Sequence, residues 1–144
     1  MSEPPENPVF FTDRDLGKSF PSILKQAQIP IEIHSNHFSD NTKDEEWLTA
    51  IGEKRWFVLT RDKRIRYRSI ELTAVKNSGI GMFVLVGNAT HSELAQNFIA
   101  THKKIIRFIQ DTPLPFIAKI RRPSPGLIKA HRKPVPGSVE KWWP

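Results

Sequence analysis

Residues 9–33 read VFFTDRDLGKSFPSILKQAQIPIEI, and this stretch decides the fold class. Val9, Phe10 and Phe11 form a short apolar run of strand type. Phe20, Ile23, Leu24 and Ala27 then recur at spacings of three, one and three, which put them on one face of a helix. Ile29–Ile33 reads as a second strand.

Downstream, the alternation of strand and helix continues. Thr42 and Glu45 match a capping box before a helix carrying Trp47, Leu48 and Ile51. Trp56–Leu59 follows as a third strand, Ile70–Val75 as a short helix and Met82–Val86 as a fourth strand. A second capping box, Thr90 with Glu93, opens a longer amphipathic helix whose apolar face holds Leu94, Phe98, Ile99, Ile105, Ile106 and Ile109. Phe116–Ile120 is a fifth strand, and Pro113 and Pro115 just before it argue for an edge position. The pattern predicts a three-layer α/β domain with a mainly parallel sheet of four or five strands.

Charge is unevenly spread along the chain of 144 residues, whose formal net charge is +7. Residues 1–100 hold 12 basic and 13 acidic side chains, whereas residues 101–144 hold 10 basic and 2 acidic ones. The last third is also proline-rich, which excludes a long helix or a central strand there. The expected organisation is a domain over 1–120 and a basic, Pro-rich tail over 121–144. No cysteine is present, so disulfide scaffolds, thiolate metal sites and cysteine nucleophiles are excluded. Met1–Pro8 has acids and prolines where a secretory signal needs positive charge, and no apolar run approaches membrane-spanning length. A cytoplasmic protein without membrane contact is expected.

In open α/β sheets ligands bind beyond the carboxyl ends of the strands. Asp13 and Asp15 follow the first strand, Asp62 follows the third, and Asp44, Glu45 and Glu46 begin the second helix. Clustered carboxylates repel unless a cation neutralises them, and a hard oxygen set suits Mg²⁺ or Mn²⁺. Each acid also has a structural role open to it: Asp44 and Glu45 suit the positive end of a helix, and Asp13 and Asp15 suit a turn. Asp62 is surrounded by Arg61, Lys63, Arg64, Arg66 and Arg68, a juxtaposition of phosphate-holding cations with a candidate metal site. Tyr67 in the same stretch is placed to stack on a base. His34 and His37 have no further histidine or cysteine near them and read as surface residues rather than zinc ligands. P-loop, dinucleotide-binding and hydrolase-elbow motifs do not occur.

The segments FFTDRDLGKSFPSILKQAQIPIEIHSNHFSDNTKDEEWL (10–48) and WFVLTRDKRIRYR (56–68) resemble a compact PIN-like domain of the VapC toxin type, over roughly residues 9–120. The resemblance implies a small α/β nuclease fold, divalent-metal-dependent cleavage of RNA, and a toxin held in check by a cognate antitoxin protein. Carried onto this chain it makes Asp13, Asp62 and Asp44 the catalytic acids, with Asp44 or Glu45 as the acid of the helix. The same residues hold the metal, and Asp15 is a less firmly matched neighbour. Arg61, Lys63, Arg64 and Arg66 then hold the RNA backbone. After the fourth strand, where the family commonly has a further acid or hydroxyl, this chain reads Gly87, Asn88, Ala89 and Thr90 without an acid.

Two other functions are compatible with the residues. A receiver-like phosphoacceptor domain also places acids after the first and third strands and a lysine near the last, where Lys119 stands. A non-catalytic RNA-binding module would use the cations alone. Trp142 and Trp143 fit folding back on the domain, pairing two copies in a homodimer, or stacking on RNA.

Overall fold

The computed structural model describes residues 7–130 and 135–144. The strands are β1 (Phe10–Thr12), β2 (Ile31–Ile33), β3 (Phe57–Thr60), β4 (Gly81–Leu85), β5 (Phe116–Arg121) and β6 (Ser138–Trp143). The helices are α1 (Ser19–Gln26), α2 (Asp44–Lys54), α3 (Ser69–Ser78), α4 (His91–Asp111) and α5 (Pro125–Ala130). The sheet runs β2-β1-β3-β4-β5-β6, parallel throughout except for the antiparallel β6.

Alternation along each strand sends successive side chains to opposite faces. Phe10, Leu59, Phe83 and Ala118 face one core, shared with Phe20 and Leu24 of α1 and Leu94, Phe98 and Ile105 of α4. Phe11, Val58, Met82, Val84 and Ile117 face the other, shared with Trp47, Leu48 and Ile51 of α2 and Ala74 and Val75 of α3. Three layers result, as the periodicity predicts.

Several sequence expectations need correction. The sheet has six strands, not four or five, because residues 138–143 add β6. Residues 138–143, within the expected tail, therefore belong to the sheet. Gly137 N donates to Thr101 Oγ1 at 2.9 Å, and Lys104 Nζ donates to Gly137 O at 2.9 Å, so α4 fixes the start of β6. β5 is not an edge strand, since β4 and β6 flank it and β6 takes the edge. The Thr42–Glu45 box does not form: Lys43 is the N-cap of α2 without a side-chain bond, while Thr42 Oγ1 lies 3.0 Å from Ser39 Oγ. The Thr90–Glu93 box does form, with Glu93 N donating to Thr90 Oγ1 and Thr90 N to Glu93 Oε1. Finally, His34 is fully buried among Phe11, Phe38 and Trp47 rather than at the surface. Among the described residues both its ring nitrogens lack hydrogen-bond partners, and burial lowers its pKa, which favours the neutral ring.

Candidate active site

The chain leaves β1 toward α1 on one face of the sheet, and leaves the neighbouring β3 toward α3 on the other face. A crevice opens at such a switch point, at the carboxyl ends of the two strands. Asp13 lies at the end of β1, where its N–H donates to Leu59 O at 3.0 Å. It caps the short 3₁₀ turn Arg14–Leu16, its Oδ1 accepting from Arg14 N at 2.7 Å. Gly17 follows with φ 64° and ψ −152°, a region open to glycine and little else, and turns the chain into α1. That turn presents Asp13 and Asp15 on the same rim.

Thr60, the buried last residue of β3, joins the two loops. Its hydroxyl donates to Asp15 Oδ2 at 2.8 Å and approaches Asp13 Oδ2 at 3.3 Å, while Asp62 N donates to Thr60 Oγ1 at 3.1 Å. Asp15 Oδ2 also accepts from Arg61 N at 2.9 Å. Asp62 accepts from Arg64 N at 3.0 Å through Oδ1 and pairs with Arg68 through Oδ2. Asp44 stands in the first turn of α2 and accepts from Trp47 Nε1 at 3.0 Å. An open cleft of about 780 Å³ is lined by Asp13, Asp15, Asp44 and Asp62, and by Arg14, Arg61, Lys63 and Arg64.

Burial pushes the Asp13 carboxyl up to about 6, reinforced by the nearby charge of Asp15 and, more weakly, of Asp44. Desolvation also raises Asp15, opposed by its hydrogen bonds from Thr60 and Arg61. Asp15 stays exposed to solvent, so the rise in Asp13 carries more weight. Carboxylates so placed attract any cation that can replace their lost hydration.

The fold thus gathers Asp13, Asp15, Asp44 and Asp62 from three places in the sequence. Glu45, one turn residue away from Asp44, is not among the cleft residues, and Arg66 points elsewhere, onto aromatic rings. Asp15, the least firmly matched acid of the sequence reading, is fixed in the cleft by two hydrogen bonds that both come from the end of β3. Sequence reasoning assigned no site role to Thr60 or Arg14, and it read Arg68 as a phosphate-holding cation where the structure pairs it with Asp62. A hydroxyl at the end of an otherwise apolar strand, two residues before an acid, was the available signal for Thr60. Among the described residues no three His, Asp or Glu side chains are already converged as a metal-holding group, because Asp62 and Asp44 are turned to partners of their own.

A family model described as a PIN-like domain matches residues 8–87, more than half of the chain. The chain belongs to the PIN-like domain family. The match spans β1 through β4 and therefore every acid of the cleft. PIN-like domains are a nuclease-type fold, which supports a hydrolase in general for this PIN-like protein. The receiver-like alternative has no support from this match. Comparisons with curated proteins and with solved structures returned no match. No helix among the described residues is long and apolar enough to cross a membrane.

Proposed function

We propose that this PIN-like protein is a Mg²⁺- or Mn²⁺-dependent endoribonuclease and the toxin of a toxin–antitoxin pair. One observation carries the reading: four aspartates and four cations, drawn from the ends of β1 and β3 and the start of α2, line one cleft. The chemistry of the donors fits a hard divalent cation, since all are carboxylate oxygens and the raised pKa of Asp13 marks a charge that lacks compensation. Asp13, Asp15, Asp44 and Asp62 are the residues that would hold it. When bound, such a cation supplies Lewis acidity toward a phosphodiester and lowers the pKa of water.

The protein's own groups do the rest. Arg14, Arg61, Lys63 and Arg64 bind phosphate oxygens and offset the repulsion between RNA and the acids. Thr60 and Arg61 N hold Asp15 Oδ2, which leaves Oδ1 without a hydrogen bond among the described residues.

A second reading, an RNA-binding module that does not cut, is favoured by the engagement of Asp62 with Arg68. Incubation of the protein with a broad panel of single-stranded RNAs, with Mg²⁺ or Mn²⁺ and free of antitoxin, separates the two. Cleavage by the wild type, lost in Asp15→Asn, is the expected result. RNAs left intact would remove the nuclease reading and favour the module. Growth arrest on expression, relieved by a small protein encoded next to this one, tests the toxin role.

A further inference from the structure

Tyr67 is 72% exposed, at the end of the 3₁₀ turn Ile65–Tyr67, and its N–H donates to the carbonyl of Arg64, a cleft residue, at 2.9 Å. Its ring meets the indole of Trp142 from β6 edge-on, with centroids 6.0 Å apart. The Arg66 guanidinium lies 5.7 Å from the Tyr67 ring and 5.4 Å from that of Trp142, and Lys119 Nζ lies 4.1 Å from the Trp142 ring.

Two features make this cluster unusual as mere packing. Two cations share one indole, yet among the described residues neither forms an ion pair with an acid; Glu140, opposite Lys119 in the strand register, pairs with Arg121 instead. And the largest exposed aromatic surface of the described chain stands one short turn from the acidic cleft.

We propose that Tyr67 and Arg66, backed by Trp142 and Lys119, form a surface that stacks the bases and holds the phosphates of single-stranded RNA next to the cleft. The proposal rests on the nuclease or RNA-binding reading and names how its substrate is seized. An exposed aromatic ring and a guanidinium plane both stack on a base without regard to its identity. The uncompensated charges of Arg66 and Lys119 match the phosphates between bases. Both requirements point to an unpaired strand, since bases within a duplex have no free faces.

The test uses the full chain with EDTA present, so that cleavage plays no part, and a fluorescein-labelled decauridylate as probe. Tyr67→Ala is expected to weaken binding roughly 5- to 100-fold, while Tyr67→Phe, which keeps the ring, binds as the wild type does. The same length of RNA backbone carrying abasic riboses should bind Tyr67→Ala and wild type alike. Arg66→Ala should make the salt dependence shallower by about 0.7 in slope, whereas Tyr67→Ala should leave that slope unchanged. Unaltered affinity of Tyr67→Ala, or an equal loss with the abasic probe, would overturn the proposal and leave the surface to a protein partner. Because no cleavage is read, an inactive enzyme does not alter these outcomes, and a failure here leaves the nuclease reading standing.

Discussion

The hydroxyl of Thr60 donates to Oδ2 of Asp15 at 2.8 Å, bridging 45 residues of chain. A hydroxyl has a single hydrogen to give. With Asp15 taking it at the shorter distance, Asp13 Oδ2 at 3.3 Å receives the weaker share. Asp13 is thus half-buried and under-served, and its carboxyl is pushed up to about 6 while the cleft still holds a second charge beside it. Desolvation is the main cause of this strain, followed by the charge of Asp15, and the weak share of the Thr60 hydroxyl does little to relieve it.

That strain sets a pH dependence. Asp13 ionises near 3.8 when unfolded and near 6 when folded, so protonation favours the folded state. The stability this contributes is complete below pH 3.8 and is lost as pH rises through about 6. Asp13→Asn removes the ionisable group, and its melting temperature at pH 7.5 should exceed that of the wild type by roughly 3–6 °C, from about 1–2 kcal/mol. The advantage should vanish at pH 3.5. Calorimetry at both pH values checks this, and a wild type more stable at pH 7.5 would reverse the assignment.

A divalent cation should narrow the same gap. At pH 7.5 Mn²⁺ in excess is expected to raise the melting temperature of the wild type by mass action on the folded state. The rise should be much smaller in Asp13→Asn and Asp15→Asn. Titration calorimetry of the three proteins gives the affinities directly, and equal binding in a variant removes that residue from the site.

Two buried threonines should respond in opposite ways to loss of the hydroxyl. Thr60 bonds both loops of the site, whereas Thr12 Oγ1 is buried without a partner among the described residues. Thr60→Val should cost about 1–2 kcal/mol at neutral pH, and Thr12→Val should be neutral or stabilising, because it removes a desolvated group. Urea denaturation measures both.

RNA binding and cutting should separate at Asp62. Asp62→Asn keeps the cations and removes a repulsive charge, so RNA affinity is expected to hold or improve. Cleavage should fall roughly a thousandfold, equivalent to about 4 kcal/mol of transition-state stabilisation. Replacing both Lys63 and Arg64 by Ala should instead weaken binding and flatten its salt dependence by about 1.4 in slope. Fluorescence titration and single-turnover kinetics distinguish the two effects.

Gly137 tests whether β6 belongs to the domain. A Cβ built there would meet the backbone oxygen of Arg121, too close for any side chain. Gly137→Ala should therefore push β6 from β5 and lower stability by about 2 kcal/mol or more. Quenching and emission of Trp142 and Trp143 should shift toward solvent exposure before the rest of the chain unfolds.

The features legible along the chain are local ones. Apolar runs at Phe10, Phe57 and Met82, helical spacing from Phe20 to Ala27, and the Thr90–Glu93 box each act through neighbours within a few residues, so period and capping chemistry suffice to read the layers and the strand ends bearing Asp13 and Asp62. Whatever depends on partners far along the chain emerges only in the folded molecule. Thr42 lost its capping role to a contact with Ser39, and His34 went into the core because Phe11 and Trp47 enclose it. Asp15 is held at the cleft by Thr60, on another strand, whereas Glu45 lies outside the cleft lining. Residues 138–143, proline-flanked and basic in surroundings, became a strand because β5 had an open edge whose backbone groups required partners. Pairing across a sheet and the aim of a side chain into a cleft are settled by packing among distant segments, and no spacing along the chain records that packing.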